Sequence, residues 1–388
     1  MTACMVGWAH TRFGKLDARD IESLICEVVR DALADARVEA RDIDEIFLGT
    51  FNAGFVQQDF PSSLVLQCDP DFRFKPATRV ENACATGSAA IHQGLKSLKA
   101  GTARHVLVVG VEKMSEVTSA LAGETLLKAS YVKESGGTPG GFAGVFGTIA
   151  DAYFARYGNQ LDALAHIAAK NHRNGARNPY AHMQKDLGFE FCREESERNP
   201  IVAGSLKRTD CALITDGAAA VVLADSNIAR TKHHAVAFRA TSHVNDYLPL
   251  SKRDVTFFDG AALAWNLALE NAGVEIDDLD FAEIHDCFTI SELIQYETMG
   301  LVPRGEGARA ILEGMTDVGG KLPVNPSGGL KARGHPVGAT GVSMHVMAAM
   351  QLTETAGSMQ VKNARLAGVF NMGGCAVANY ASVLERIQ

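Results

Sequence analysis

Apolar positions recur every three to four residues over 21–36, where Ile21, Leu24, Ile25, Val28, Ala32 and Ala36 share one face. Glu22, Glu27, Arg30 and Asp35 lie mostly opposite, and this spacing predicts an amphipathic helix. The run EIFLGT at 45–50 then predicts a strand. A helical pattern at 86–100 leads into a second strand, HVLVVGVE at 105–112, and AAAVVLAD at 218–225 reads as a third. Continuous apolar runs of this length suit strands covered on both faces. A strand ending in FAEI at 281–284, a helix starting with TISEL, another at 342–352 and a strand before the turn at 372–374 complete the pattern. Short strands alternating with helices predict an α/β fold.

The pattern is used twice. Residues 34–46 align without gaps to the segment from 269, pairing Ala36 with Ala272, Val38 with Val274, Glu39 with Glu275, Asp42 with Asp278 and Asp44 with Asp280. The pair Ala103-Arg104, ahead of one strand, matches Ala364-Arg365 ahead of another. Such a repeat predicts a duplicated domain. The expected division is an N-terminal half at 1–113 completed by 210–230, an insertion at 114–209, and a C-terminal half at 231–388. Within the insertion, the glycine-rich run at 134–147 and the polar stretch KNHRNGARNPYAH at 170–182 read as long loops, a feature of lids and binding loops. Neither contains a dinucleotide or Walker fingerprint.

Composition narrows the function classes. Of 388 residues, 47% are hydrophobic and 21% charged, as in an ordinary globular protein. No apolar run approaches the ~20 residues of a membrane span, and no secretory signal is visible at the start, so a cytoplasmic location is expected. The formal net charge of −8 and the lack of a basic cluster argue against a nucleic-acid partner. The eight cysteines include no C-x-x-C pair. Neither a disulfide framework nor a metal site is expected from them.

Four segments carry candidate chemistry. Cys84 follows a strand end and precedes Ala85, Thr86, Gly87 and Ser88 at the start of a helix, where the dipole favours thiolate. The same place also suits a buried structural cysteine. His335 lies between Gly334 and Pro336 in a sterically open loop, suited to activating a thiol or merely exposed. His285, Asp286 and Cys287 close a strand in the second half, where active-site residues of α/β sheets collect; Asp286 reads as the N-cap of the helix that follows. Finally, Asn371, Gly373 and Gly374 form a late turn, and Cys375 reads as core in the strand beyond it.

Taken in order, ENACATGSAA around Cys84, HDCF at 285–288, GGLKARGHPVGATG at 328–341 and the NMGG turn resemble the thiolase superfamily. The HDCF block resembles its sterol-carrier-protein type in particular. The resemblance spans almost the whole chain and implies a five-layer α/β/α/β/α fold of two duplicated halves with an inserted loop domain. It implies acyl transfer between coenzyme A thioesters, degradative or condensing, with Cys84 as nucleophile and His335 activating it. One oxyanion hole would use His335 with His285 or a water that it holds, the other the N–H groups of Cys84 and Gly373. Most relatives keep an acid/base cysteine where this chain has Asn371, and an amide exchanges no protons near neutral pH. The resemblance therefore points to Cys287 for that role. Coenzyme A enters as a substrate and not as a resident cofactor, and Lys170, Arg173 and Arg177 are candidates for its phosphates. A homodimer or homotetramer is implied. The alternatives are an acyltransferase that works only with a small partner subunit, and a catalytically silent acyl-CoA-binding protein.

Overall fold

The alternating apolar runs resolve into two copies of one motif. The computed structural model describes residues 3–387. In chain order, the first copy contains β1 (Ala3–His10), α1 (Ile21–Ala36), β2 (Glu45–Gly49), β3 (Ala77–Val80), α2 (Thr86–Ala100) and β4 (His105–Glu112). The insertion contributes α3 (Phe142–Tyr157) and α4 (Leu161–Gly175), and β5 (Gly217–Asp225) closes the first copy. The second copy is β6 (Val236–Asn245), α5 (Asp259–Ala272), β7 (Phe281–Ile284), α6 (Thr289–Thr298), α7 (Val337–Leu352), β8 (Leu366–Gly373) and β9 (Ala378–Arg386).

These strands form one sheet in the order β3-β2-β4-β5-β1-β6-β9-β8-β7. The order β2-β4-β5-β1 in one half reappears as β7-β8-β9-β6 in the other, each with one parallel and then two antiparallel pairings. Within the sheet, the halves meet where Cys4 and Met5 of β1 face Ala237 and Val236 of β6. The repeated acids explain their own repetition. Glu39 with Asp42 and Glu275 with Asp278 form capping boxes after α1 and α5. Asp44 accepts the N–H groups of Arg104 (2.7 Å) and His105 (3.0 Å), and Asp280 those of Arg365 (2.7 Å) and Leu366 (2.9 Å). In each half these carboxylates fasten one strand entry to the next.

Helices α2 and α7 pack against each other between the halves, with α7 touching strands of both. Helix α1 covers the outer face of the first half and α5 that of the second, which gives five layers. The middle layer is tight. A Cβ on Gly87 would lie 2.6 Å from the Val342 nitrogen and 2.9 Å from that of Gly341, so only glycine lets the helices meet this closely. No helix among the described residues is long and apolar enough to cross a membrane.

Three expectations need correction. The polar stretch from 170 is not a loop: through Gly175 it is the end of α4, whose Lys170, Asn171, His172 and Asn174 point into the protein. Polarity misleads here because Lys170, Asn171 and Asn174 bond to buried partners. The glycine-rich run ends as the first turns of α3, where Gly147 admits the backbone of Ala203. Two of the cysteines are not free, since Cys26 of α1 is disulfide-bonded to Cys68, with Cα atoms 4.8 Å apart.

Gly87→Ala should lower unfolding free energy in urea by about 1–3 kcal/mol, the usual cost of overpacking a filled core. An unchanged midpoint would show that the two helices are free to separate.

Candidate active site

The nucleophile candidate sits on a strained corner. After β3 the chain reverses at Asn82–Cys84, with Ala83 at φ 49°, a conformation that a non-glycine residue keeps only when its surroundings impose it. Here the Asn82 N–H donates to Thr86 Oγ1 at 2.8 Å, and the Ala85 N–H donates to the Asn82 carbonyl at 3.1 Å. Helix α2 starts two residues past Cys84. From the other half, the end of β8 closes on this corner. A Cβ at Gly373 would come within 2.4 Å of the Asn82 carbonyl. The backbone N–H groups of Gly374 and of Cys84 itself favour the Cys84 thiolate.

His335 is held from behind. Gly334, at φ 113°, passes so close to Thr215 that a Cβ would lie 2.8 Å from its methyl group. Thr340 Oγ1 donates to the Pro336 carbonyl at 3.0 Å and so accepts from His335 Nδ1 at 2.6 Å. The ring proton is thereby placed on Nδ1, leaving Nε2 as a lone pair with no protein partner. His285 is clamped through its backbone by Gln295 of α6, which accepts from its N–H at 3.0 Å and donates to its carbonyl at 2.7 Å. The rings of His285 and His335 meet edge to face, 5.3 Å apart at 85°. One ligating atom each from Cys84, His285 and His335 lies within 4.8 Å of the others.

Burial dominates the electrostatics. It pushes the Cys84 thiol up to about 12, with Glu112 and Glu81 adding to the rise and Gly374 opposing it. The helix-terminus argument for a preformed thiolate is thus overridden by desolvation. Burial, then the Arg333 cation, lowers His335 to about 3, and His285 is held well below its ordinary value by burial and by His335. At neutral pH the pair is therefore thiol and neutral imidazole.

A cavity of ≈ 50 Å³ opens onto this group, lined by Cys84, Cys287 and His335 and walled by Met114, Phe142 and Phe288 among others. Cys287 is buried in it, and its thiol is raised well above the ordinary value by burial and the neighbouring sulfurs. Cys375 lies in the turn between β8 and β9, not in the strand. It couples electrically to Cys84 but does not line the cavity. Asp286 is not the cap of α6. It accepts instead from Leu330 N (2.6 Å), Lys331 N (3.1 Å) and Asn171 Nδ2 (2.8 Å), tying the HDCF loop to the turn that leads into His335. Burial and the adjacent Glu292 raise Asp286 to about 7.

The phosphate candidates separate. Lys170 is buried against Glu292 at 2.5 Å, so its ammonium is spent inside the protein. Arg173 pairs with Asp317 at 2.5 Å on the surface, and Arg177 is exposed. A groove of ≈ 350 Å³ elsewhere collects Lys185, Arg198, Arg208 and Lys331, with the acid Glu197, beside His172. Leu213 lines both this groove and the cavity at Cys84. These basic residues are scattered in sequence and form no motif there. Glu112 and Thr340 also escaped the sequence reading, although each lies in a quoted segment. Glu112 accepts from Thr50 Oγ1, Phe51 N and Asn52 N of its own half and from Gly338 N (2.8 Å) of the other.

The family described as thiolase, N-terminal domain, matches residues 3–227, and thiolase C-terminal domain-like matches 242–386. An acetyl-CoA acetyltransferase of Methanothermobacter thermautotrophicus is 35% identical over 376 residues, 95% of this chain and 96% of that protein. Human sterol carrier protein 2 is 31% identical over 389 residues, 95% of this chain and 69% of its own length. Among solved structures, the Ltp2-ChsH2(DUF35) aldolase superposes with TM-score 0.84 at 22% identity, over 99% of this chain and 98% of that one.

If the thiol is held protonated, alkylation of the Cys84 peptide by iodoacetamide should climb about tenfold per pH unit from 7 to 9, tracking the thiolate fraction. A rate already flat from pH 7 would mean that the thiolate is preformed.

Proposed function

Since the chain belongs to the thiolase superfamily, we propose that it cleaves a 3-ketoacyl-CoA with CoA, or runs the reverse Claisen condensation, through an acyl–Cys84 intermediate. The observation that carries this reading is the convergence of Cys84, His285 and His335, beside a small cavity that Cys84, His335 and Cys287 line together.

In the cleavage direction, His335 Nε2 takes the Cys84 proton as sulfur attacks the keto carbon. The Cys84 N–H and the Gly373–Gly374 turn face the alkoxide that forms. Collapse breaks the carbon–carbon bond and leaves acyl–Cys84 and the enolate of acetyl-CoA. The thioester oxygen of that enolate lies with His335, now protonated, and His285. Cys287 gives its proton to the enolate carbon, and its thiolate then accepts the proton of the incoming CoA thiol, which attacks the acyl-cysteine; the carbon–sulfur bond to Cys84 breaks, and the Cys84 thiolate takes back its proton from His335. Splitting the reaction at a covalent intermediate turns one hard step into two easier ones. A buried site strengthens each charge–dipole contact made along the way.

Cys287 is preferred to Cys375 as the acid/base because it lines the cavity with the nucleophile. The groove of Lys185, Arg198, Arg208 and Lys331 supplies the positive charge that the phosphates of coenzyme A require in a chain of net charge −8. Leu213, shared between groove and cavity, marks the route for the connecting arm. A second reading, an acyltransferase that needs a partner subunit, draws on the likeness to a chain solved with a DUF35 component.

The isolated chain should thiolyse acetoacetyl-CoA, and Cys84→Ala should abolish this. Cys287→Ala should slow the carbon–carbon step roughly 100-fold, as for loss of a positioned acid/base, while Cys84 still takes an acyl group from a simple acyl-CoA. Cys375→Ala should cost little. An essential Cys375 with a dispensable Cys287 would overturn the acid/base assignment. Acylation of Cys84 without thiolysis by the wild type would favour the partner-dependent reading.

The groove makes a separate prediction. Replacing Arg198 and Arg208 together by alanine should raise the KM for CoA about tenfold, ~1.4 kcal/mol, with kcat nearly kept. An unchanged KM would place the phosphates elsewhere.

A further inference from the structure

His285 and His335 have matching environments and opposite roles in the reading above, and neither Nε2 has a protein partner. Something must decide which ring donates. For His335 it is Thr340. For His285, among the described residues, the one hydrogen-bond partner of the ring nitrogens is at Nδ1, 2.9 Å from the amide nitrogen of Asn371.

We propose that Asn371 is a positioning residue that holds the ring proton of His285 on Nε2, so that His285 donates into the site. The amide has its orientation fixed by two other contacts. Its Nδ2 lies 3.2 Å from the carbonyl of Cys84, which can only accept. Its Oδ1 accepts from Ser88 Oγ at 2.8 Å. Turning the amide over would set two oxygens against each other at the Cys84 carbonyl. With Nδ2 so placed, His285 Nδ1 must accept, and a neutral imidazole that accepts at Nδ1 carries its proton on Nε2. Asn371, Ser88 and His285 are fully buried, so no water competes for these bonds.

Gly341 completes the arrangement. A Cβ there would lie 2.6 Å from Asn371 Oδ1 and from Ser88 Oγ, so the amide fits only beside glycine. The consequence for chemistry is a division of labour: His335 presents a lone pair and His285 presents N–H. A donor is what a developing enolate oxygen needs. The same proton withholds the Nε2 lone pair of His285 from a soft metal, although the three converging atoms would otherwise suit one.

This inference rests on the reading above for its catalytic meaning, but its first test does not use activity. In full-length protein labelled with ¹⁵N-histidine, the two ring nitrogens of His285 are assigned by their loss in His285→Gln. Wild type should show a protonated Nε2 and an unprotonated Nδ1, and Asn371→Asp, which offers an acceptor, should move the proton to Nδ1. A wild-type proton on Nδ1, or a tautomer unchanged in folded Asn371→Asp, overturns the proposal. If that variant does not fold, the wild-type spectrum decides alone. In kinetics, Asn371→Asp should slow the carbon–carbon step about 100-fold, within the range for a lost oxyanion donor, with acyl transfer to Cys84 changed only a few-fold. Equal loss in both half-reactions would point to a collapsed nucleophile corner and overturn the positioning role. The expected tautomer in a wild type without thiolysis would support the proposal and remove the thiolase reading alone.

Discussion

The structure depends on how closely two separate halves are held at their seam. Glu112, at the end of β4, accepts three donors from the loop after β2 and a fourth from Gly338 at the head of α7. Gly338 is three residues past His335, so this carboxylate links the first half to the loop of His335 in the second. Beside it, Gly87 and Gly341 let α2 and α7 approach until backbone meets backbone. Cys84 comes from one half, and both histidines and Cys287 come from the other. Their separation is therefore a property of the seam and not of any single loop. A site assembled in this way needs rigid support, because misplacement by an ångström costs rate steeply.

The seam also buries Cys84, His285 and His335, and this changes the chemistry. A thiol at about 12 and an imidazole at about 3 are a poor acid–base pair before substrate arrives. Both groups rest in the uncharged form that burial favours. Once negative charge develops on a substrate oxygen, the same low dielectric strengthens each N–H aimed at it. Burial thus favours the uncharged form of both groups in the resting site. The opposite tautomers of the two rings fit this logic: both rest uncharged, and in the proposed reaction only His335 gains a proton, as the thiol is consumed.

Much of the frame was legible in the chain. Helix α1, β4 and α2 have the limits that their apolar spacing predicts, because each presents one uninterrupted face to a core. The repeat was legible because its acids make the same backbone contacts twice. What could not be read was the buried polar layer. Lys170 and Asn171 resemble a solvated face until Glu292 and Asp286, more than a hundred residues away, are brought against them. Asp286 sits where a helix cap belongs, yet serves a turn 44 residues further on. Cys84, His335, Cys287 and His285 were identifiable by residue type and by resemblance, but protonation follows from burial, and burial is a property of the fold. The groove of basic residues escaped for the same reason.

The central claim is that sulfur at residue 84 carries the acyl group. The direct measurement is mass spectrometry of the whole chain, quenched in acid after brief exposure to acetoacetyl-CoA without CoA, followed by peptide mapping. The account predicts one acetyl group, on the peptide that contains Cys84 and on sulfur, removed by added CoA. An acetyl group on a peptide lacking residue 84, or none in a chain that still turns over, would contradict it.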